Sequence, residues 1–553
     1  MSLSPSISAR HSRQVALHRQ TGCSYALSDD EEIYDVIQWP KQGGFYAKVP
    51  TLLYYRTKSG RCMDWGNGAR LHSFKPLQEG KLVQQFKLWL AEDVDSEDMP
   101  LTGQSVVDVL SDYMERFHEH ILGELQKTTI VRNYSVEDYR YILTVPAIWS
   151  DQAKAIMRSV FSRAGIIGSE DPPDRLTMIS EPEAAALYCE RKYNAWNLQH
   201  GDRFMIVDAG GGTVDLIIYE IEQQGDRRTL NELTKGHGGM CGSAHIDNNM
   251  RKLLNKTFGS CIETMPSCTL EMIMETFVEK IKFNVDLSAH PQLAIILRRR
   301  RSAIGSSSGS MSEGKILLTA EELKKEVYGP VFQQVVDLVE TQLQEACVFI
   351  NAMFLVGGFG CSEYLYNTLR DKFSNTVGVV VMPPRGELAV VRGAVYSLLC
   401  PGVITSKILR RTYGVRTRLP FEEGLDPEES AIVTKDGVKR CGTRFDLIAR
   451  KGSRIRLDRK ISRTFWVAYP KHTEVDMYAY DGDYAVPRQI TDPGVVKIAD
   501  FPVKMPILHD LSYGDRVNLE IDFIFGLTEL QINVSMAGSR FQFISLLDAE
   551  LND

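Results

Sequence analysis

The stretch FMIVDAGGGTVDL, Phe204–Leu216, decides how this chain folds. Phe204, Met205, Ile206 and Val207 form an apolar run of strand formers, and Val214, Leu216, Ile217 and Ile218 resume it after three glycines. The pattern reads as a buried hairpin. Gly210, Gly211 and Gly212 weaken a strand through lost backbone entropy, so the turn must need bare backbone, free choice of φ, or both. Closely spaced amide N–H groups in such a turn make an anion cradle. Asp208 and Asp215 flank it, and carboxylates face an anion only with a cation between them. Hard oxygen ligands beside a phosphate cradle suit magnesium, held mostly through its waters. Thr213 adds a hydroxyl. The plainer alternative is a tight hairpin with solvated turn aspartates.

Around this stretch, a chain of 553 residues exceeds what one core usually supports, so roughly two to four domains are expected. Apolar content of 43% and charged content of 24% match a soluble globular protein. A net charge of −7 argues against a general nucleic-acid binder. The basic run LRRRR, Leu297–Arg301, abuts the Ser/Gly-rich SAIGSSSGSMSEG and reads as part of a flexible insertion at about 298–314. Ten cysteines without a CxxC pair fit reduced thiols in the cytoplasm, with access to the nucleus open, and no apolar run reaches membrane-spanning length. Residues 1–20 read as a disordered or atypical segment; the first 28 residues hold no Asp or Glu, a composition that a transit peptide would share.

YILTVPAIWSDQAKAIMRSVFSRAGI passes from a strand, Tyr141 to Val145, through Pro146 into a helix that Ser150 could cap. A second apolar strand meets glycine at FLVGGFG, Phe354–Gly360. Helices precede it from Thr319, where Thr319 and Glu322 make a capping box, and Gly329 and Pro330 should divide that helical region. From about residue 401 to 553 the texture becomes alternating: Val517, Leu519, Ile521, Phe523, then Leu530, Ile532, Val534. Such alternation reads as antiparallel strands in a separate β domain, the strand with Leu530 being the last clear one.

At this point the residues carry a resemblance. VDAGGGTVDL resembles the second phosphate loop of the actin-like ATPases. ILTVPAIWSDQAKAIMRSVFSRAGI and ISEPEAAALYCER are similar to the linking segments of the seventy-kilodalton heat-shock chaperones, and FLVGGFG to their adenosine loop. GGMCGSAHIDNNM and PPRGELAVVRGAVYSLL extend the likeness over Ser24 to Cys400, while KVPTLLYY and RRTYGV resemble the divergent member-twelve branch and its fungal relatives.

The resemblance implies an α/β fold: a two-lobed actin-like ATPase domain of ribonuclease-H-like subdomains over 21–400, followed by a smaller β-sandwich-like domain over 401–553. It implies ATP or ADP with magnesium in the cleft. By position, Asp208 would hold magnesium through water, Gly210, Gly211, Gly212 and Thr213 would contact phosphates, and Asp215 would lie near the attacking water. Glu181 of SEPEAAA would stand beside metal and water, and Lys87 of FKLWL matches the family's cleft lysine. Gly242 of GGMCGSAH, Gly357, Gly358, Glu279 and Lys282 fall at nucleotide-contacting positions, with Phe283 and Cys361 standing where the family has adenine-stacking arginines. Read from residue type alone, Glu181 is equally a helix-start carboxylate, Lys87 a snorkelling lysine, and Glu279 with Lys282 a surface ion pair.

Two departures follow. In the best register of the first phosphate loop, Val15–Leu27, His18 replaces an aspartate and Gln20 a glycine, leaving Thr21 as the surviving hydroxyl; imidazole is a poor ligand for hard magnesium. The β domain lacks room for the family's helical lid, which implies weak, poorly gated binding of protein clients. The expectation is an ATP-binding chaperone-like protein with slow hydrolysis, a stress-response role and unidentified protein partners. The alternatives are a non-hydrolysing nucleotide-dependent scaffold and, third, a sugar kinase of the same superfamily. If the first-loop register is right, His18→Asp with Gln20→Gly should raise ATP turnover at least about tenfold, since one preorganised contact is worth about 2.7–4 kcal/mol in a transition state. Turnover no faster than the parent's, together with no effect of deleting Met1 to Gln20, would remove the segment from the site.

Overall fold

The computed structural model describes residues 12–16, 20–27, 32–44, 46–75, 80–90, 104–128, 135–192, 196–225, 227–262, 267–283, 292–297, 314–434, 436–457, 459–483, 485–526 and 530–544. His18 and most of the expected insertion, 298–313, lie outside them. The architecture is mixed α/β and divides into two compact units, one drawn from Met1–Ser150, Met157–Ile217 and Gly236–Leu399, the other from Asp151–Ile156, Ile218–Lys235 and Cys400–Asp553.

In the first unit one sheet runs Leu176–Ser180, Arg140–Val145, Ser12–Ala16, Gln20–Gly22, Lys48–Pro50. Its first three strands are parallel, with Ser12 opposite Arg140 and Ala16 opposite Thr144. Part of the segment read as disordered therefore pairs at the middle of a sheet, and Gly22 returns opposite Ala16. A second sheet places Val377–Val381, Ile350–Val356 and Arg203–Ala209 side by side in parallel, Asp208 opposite Val356. Arg203–Ala209 and Ile350–Val356 are buried almost throughout, which explains why they read as continuous apolar runs rather than alternating ones.

Helix Glu181–Arg191 starts on a capping box in which the Ser180 N–H donates to Glu183 Oε2 at 3.0 Å and Ser180 Oγ accepts from the Glu183 N–H. It packs on helix Ala389–Leu399 so closely that a Cβ on Gly393 would sit 1.6 Å from the Ala184 carbonyl oxygen. The Thr319–Glu322 capping box is present, with Glu322 N–H donating to Thr319 Oγ1 at 3.1 Å. Gly329 and Pro330 do not break the helical path there: a π-helical turn, Leu323–Tyr328, leads straight into Gly329–Ala346, and Pro330 takes its first turn, where an N–H is not needed.

In the second unit, one antiparallel sheet runs Ala431–Val433, Lys439–Ala449, Thr412–Pro420, Thr473–Tyr480, Val495–Val503, and another runs Lys460–Ala468, Arg516–Phe525, Leu530–Met536, Ser539–Ile544. Val517, Leu519, Ile521 and Phe523 join Leu530, Ile532 and Val534 in one core with Met477, Phe501 and Val503 of the other sheet. The strand with Leu530 is not the last: Ala537 and Gly538, both with positive φ, turn the chain back into Ser539–Ile544. A two-residue turn with both φ positive suits the twist of a hairpin, and Ala537 lacks the usual turn-residue signal, so the sequence hides it. Among the described residues no helix is long and apolar enough to cross a membrane, and eight cysteines stand outside any disulfide.

Because Gly393 admits no side chain, Gly393→Ala should destabilise the first unit by about 1–3 kcal/mol, the usual effect of overpacking. Chemical denaturation checks this; an unchanged midpoint would mean that the two helices can slide apart at little cost.

Candidate functional site

The turn of residues 210–213 is closed by the Gly210 N–H, which donates to the Thr213 carbonyl at 3.0 Å. All three glycine carbonyls are then taken by the start of the helix Ser243–Ile262: Gly210 accepts from Ser243 N–H (3.1 Å), Gly211 from Ala244 N–H (2.7 Å) and Gly212 from Gly242 N–H (2.9 Å). Backbone meets backbone here, since a Cβ on Gly242 would fall 2.5 Å from the Gly212 carbonyl carbon. With the carbonyls engaged on one side, the N–H groups of Gly211 and Gly212 have no acceptor among the described residues. Gly211, Gly212 and Thr213 line a solvent-open pocket shared with Lys87, Leu88 and Trp149. Unsatisfied, adjacent amides at a pocket wall are what an anion cradle requires.

Asp208 lies beside this turn, 1% exposed, and neither carboxylate oxygen has a hydrogen-bond partner among the described residues. Gly357, with φ +81°, leaves the space it needs, because a Cβ there would lie 2.5 Å from Asp208 Oδ1. Burial raises the Asp208 pKa well above the usual carboxylate value, and Glu181 and Asp215 push it further. Asp215 is fully buried and its Oδ1 accepts from the Ala147 N–H at 2.9 Å. Glu181, at the first position of its helix, accepts from Lys87 Nζ at 2.5 Å, and burial holds its pKa up at about 7 in spite of that ammonium. Lys87 comes from the short 3₁₀ helix Phe86–Leu90 and stands 5.2 Å over the Trp149 ring. It is neither a snorkelling lysine nor on an amphipathic α-helix.

The remaining candidates separate. Thr21 Oγ1 is buried and bonded to Thr51 Oγ1 at 2.8 Å, so its hydroxyl is already engaged. Glu279 pairs at the surface with Arg70, 2.6 Å away, and Lys282 is buried against Asp247 at 2.9 Å, so the two do not pair with one another. Phe283 packs on Phe359, ring centroids 6.3 Å apart, and Gly358 has open space where a side chain would be. Sequence reading passed over Lys48. It is 7% exposed, carries no hydrogen bond or ion pair to a described residue, and lies within electrostatic reach of Asp208, Glu387, Cys361 and Glu181. Burial lowers its pKa. The one signal in the sequence was a lysine opening an apolar strand, KVPTLLYY.

Three buried carboxylates, Asp208, Asp215 and Glu181, thus face two ammonium groups, Lys48 and Lys87. The site is short of positive charge and welcomes a cation. No group of three or more His, Cys, Asp or Glu side chains converges on one point among the described residues, so a metal would be held largely through its waters, as magnesium usually is.

No protein-family model matches the chain. It is 24% identical to heat shock 70 kDa protein 12A of Mus musculus, with 92% of this chain and 87% of that protein covered. Against heat shock 70 kDa protein 12B of Homo sapiens the identity is 26%, covering 86% and 81%. Chaperone protein DnaK of Buchnera aphidicola is 22% identical over 65% of this chain and 54% of its own. Similarity to heat shock 70 kDa proteins therefore runs through most of the chain.

A carboxylate whose folded pKa is raised stabilises the fold below its unfolded pKa, and that contribution is lost as pH rises toward the folded value. Asp208 starts from 3.8 and Glu181 from 4.5, so the ligand-free protein should lose stability as pH climbs from the acid range toward about 7. Asp208→Asn should raise the melting midpoint, and by more at about pH 7.5 than at about pH 5. An equal or negative effect at both would show that Asp208 is paired in solution.

Proposed function

We propose that this chain is an ATP-binding, heat-shock-chaperone-like protein of the actin-like ATPase superfamily, with slow ATP hydrolysis and nucleotide-dependent binding of protein partners in the cytoplasm or nucleus. In this reading the first unit is the two-lobed nucleotide domain and the two antiparallel sheets of the second form the β domain that meets partners. The observation that carries it is the glycine turn bound through its three carbonyls to residues 242–244, with free amides on the pocket wall and unpartnered Asp208 alongside.

The chemistry required of the protein in phosphoryl transfer is positioning and charge neutralisation. The amides of Gly211 and Gly212 and the Thr213 hydroxyl would bind phosphate oxygens, and Asp208 would hold magnesium through water. When bound, that ion spreads the negative charge that builds up on the transferred group. Glu181, with a pKa near 7, is poised to take a proton from an attacking water, and Lys87 fixes its orientation. Asp215, anchored by the Ala147 N–H, adds field rather than a proton.

The non-hydrolysing scaffold is the second reading. It is favoured by Thr21, whose hydroxyl is taken by Thr51. Glu181→Gln separates the two. As an enzyme, the protein should lose about a hundredfold or more of its single-turnover rate with radiolabelled ATP while its ATP affinity stays within about threefold, the loss expected for a positioned general base. Equal, background-level turnover in both proteins with intact ATP binding would make the chain a scaffold.

A further inference from the structure

Lys48 opens the edge strand Lys48–Pro50 and sits directly opposite Gly22. A Cβ on Gly22 would lie 3.2 Å from Lys48 Cγ, so the glycine clears the path along which the lysine stem crosses its neighbouring strand. The side chain ends up buried, within electrostatic reach of Asp208, yet no ion pair joins the two. An ammonium and a carboxylate withdrawn from water without a direct ion pair favour a ligand whose charges match both. What enters must present negative oxygens to Lys48 and a cation or donors to Asp208. Of the two other buried lysines among the described residues, Lys87 is paired with Glu181 and Lys282 with Asp247.

Resting on the nucleotide-binding reading above, we propose that Lys48 is a phosphate-binding residue whose ammonium takes the terminal phosphates of a nucleoside di- or triphosphate, so that binding persists without magnesium. A lysine is suited to this as a compact point charge with three donors. Since it comes from a strand adjoining Gln20–Gly22, it brings positive charge beside the first loop, which lacks a carboxylate to organise a metal.

The test is equilibrium titration of the full chain with a fluorescent ATP analogue, in magnesium and in EDTA, for wild type, Lys48→Met and Lys48→Arg. Wild type should lose less than about tenfold in affinity on removing magnesium, whereas Lys48→Met should bind at least about tenfold more weakly than wild type in EDTA and Lys48→Arg should retain most of the affinity. Should Lys48→Met melt early, Lys48→Gln, neutral and polar, repeats the comparison. Wild-type binding that vanishes in EDTA, or a neutral variant within about threefold of wild type there, overturns the role of Lys48 and leaves the nucleotide reading standing. A wild type that binds no ATP in either buffer overturns both.

Discussion

The site depends on one backbone arrangement: the carbonyls of Gly210, Gly211 and Gly212 are each tied to a separate amide of residues 242–244. That stitching fixes which way the peptide planes of the turn face. It needs glycine at 242 for steric reasons, since any side chain would strike the backbone of Gly211 and Gly212. It also explains why three successive glycines are tolerated between two buried strands, where their entropic cost is greatest. The carboxylates follow from the same strands, Asp208 near the end of one and Asp215 near the start of the next.

The electrostatics then follow from burial. Three carboxylates withdrawn from water lie beside two ammonium groups, and burial is the largest cause of the raised pKa of both Asp208 and Glu181. Glu181 is a case in point. Its helix is capped through Ser180 and Glu183 and pinned by the tight crossing at Gly393, so the side chain meets Lys87 in a fixed geometry.

Features set by neighbours in sequence were legible before any coordinates: the glycine turn with its flanking strands, the Thr319 capping box, and the alternating strands around Phe523 and Ile532. What stayed hidden rests on long-range partners. Glu279 is claimed by Arg70, 209 residues away, and Glu181 by Lys87, 94 away. Lys48 looked like an ordinary strand lysine because its burial depends on which strand its edge pairs with. Ser539–Ile544 was missed because its turn uses an alanine with positive φ, which propensity argues against.

The central claim is that the glycine turn binds phosphate groups. It is tested most directly by the affinity of the wild-type protein for ATP, ADP, AMP and adenosine, measured by calorimetry in one buffer. The account predicts a ladder, with adenosine at least about a hundredfold weaker than ADP, since most of the polar contacts are made by phosphates. Affinities for adenosine and ATP within about threefold of one another, or no ATP binding at all, would contradict it.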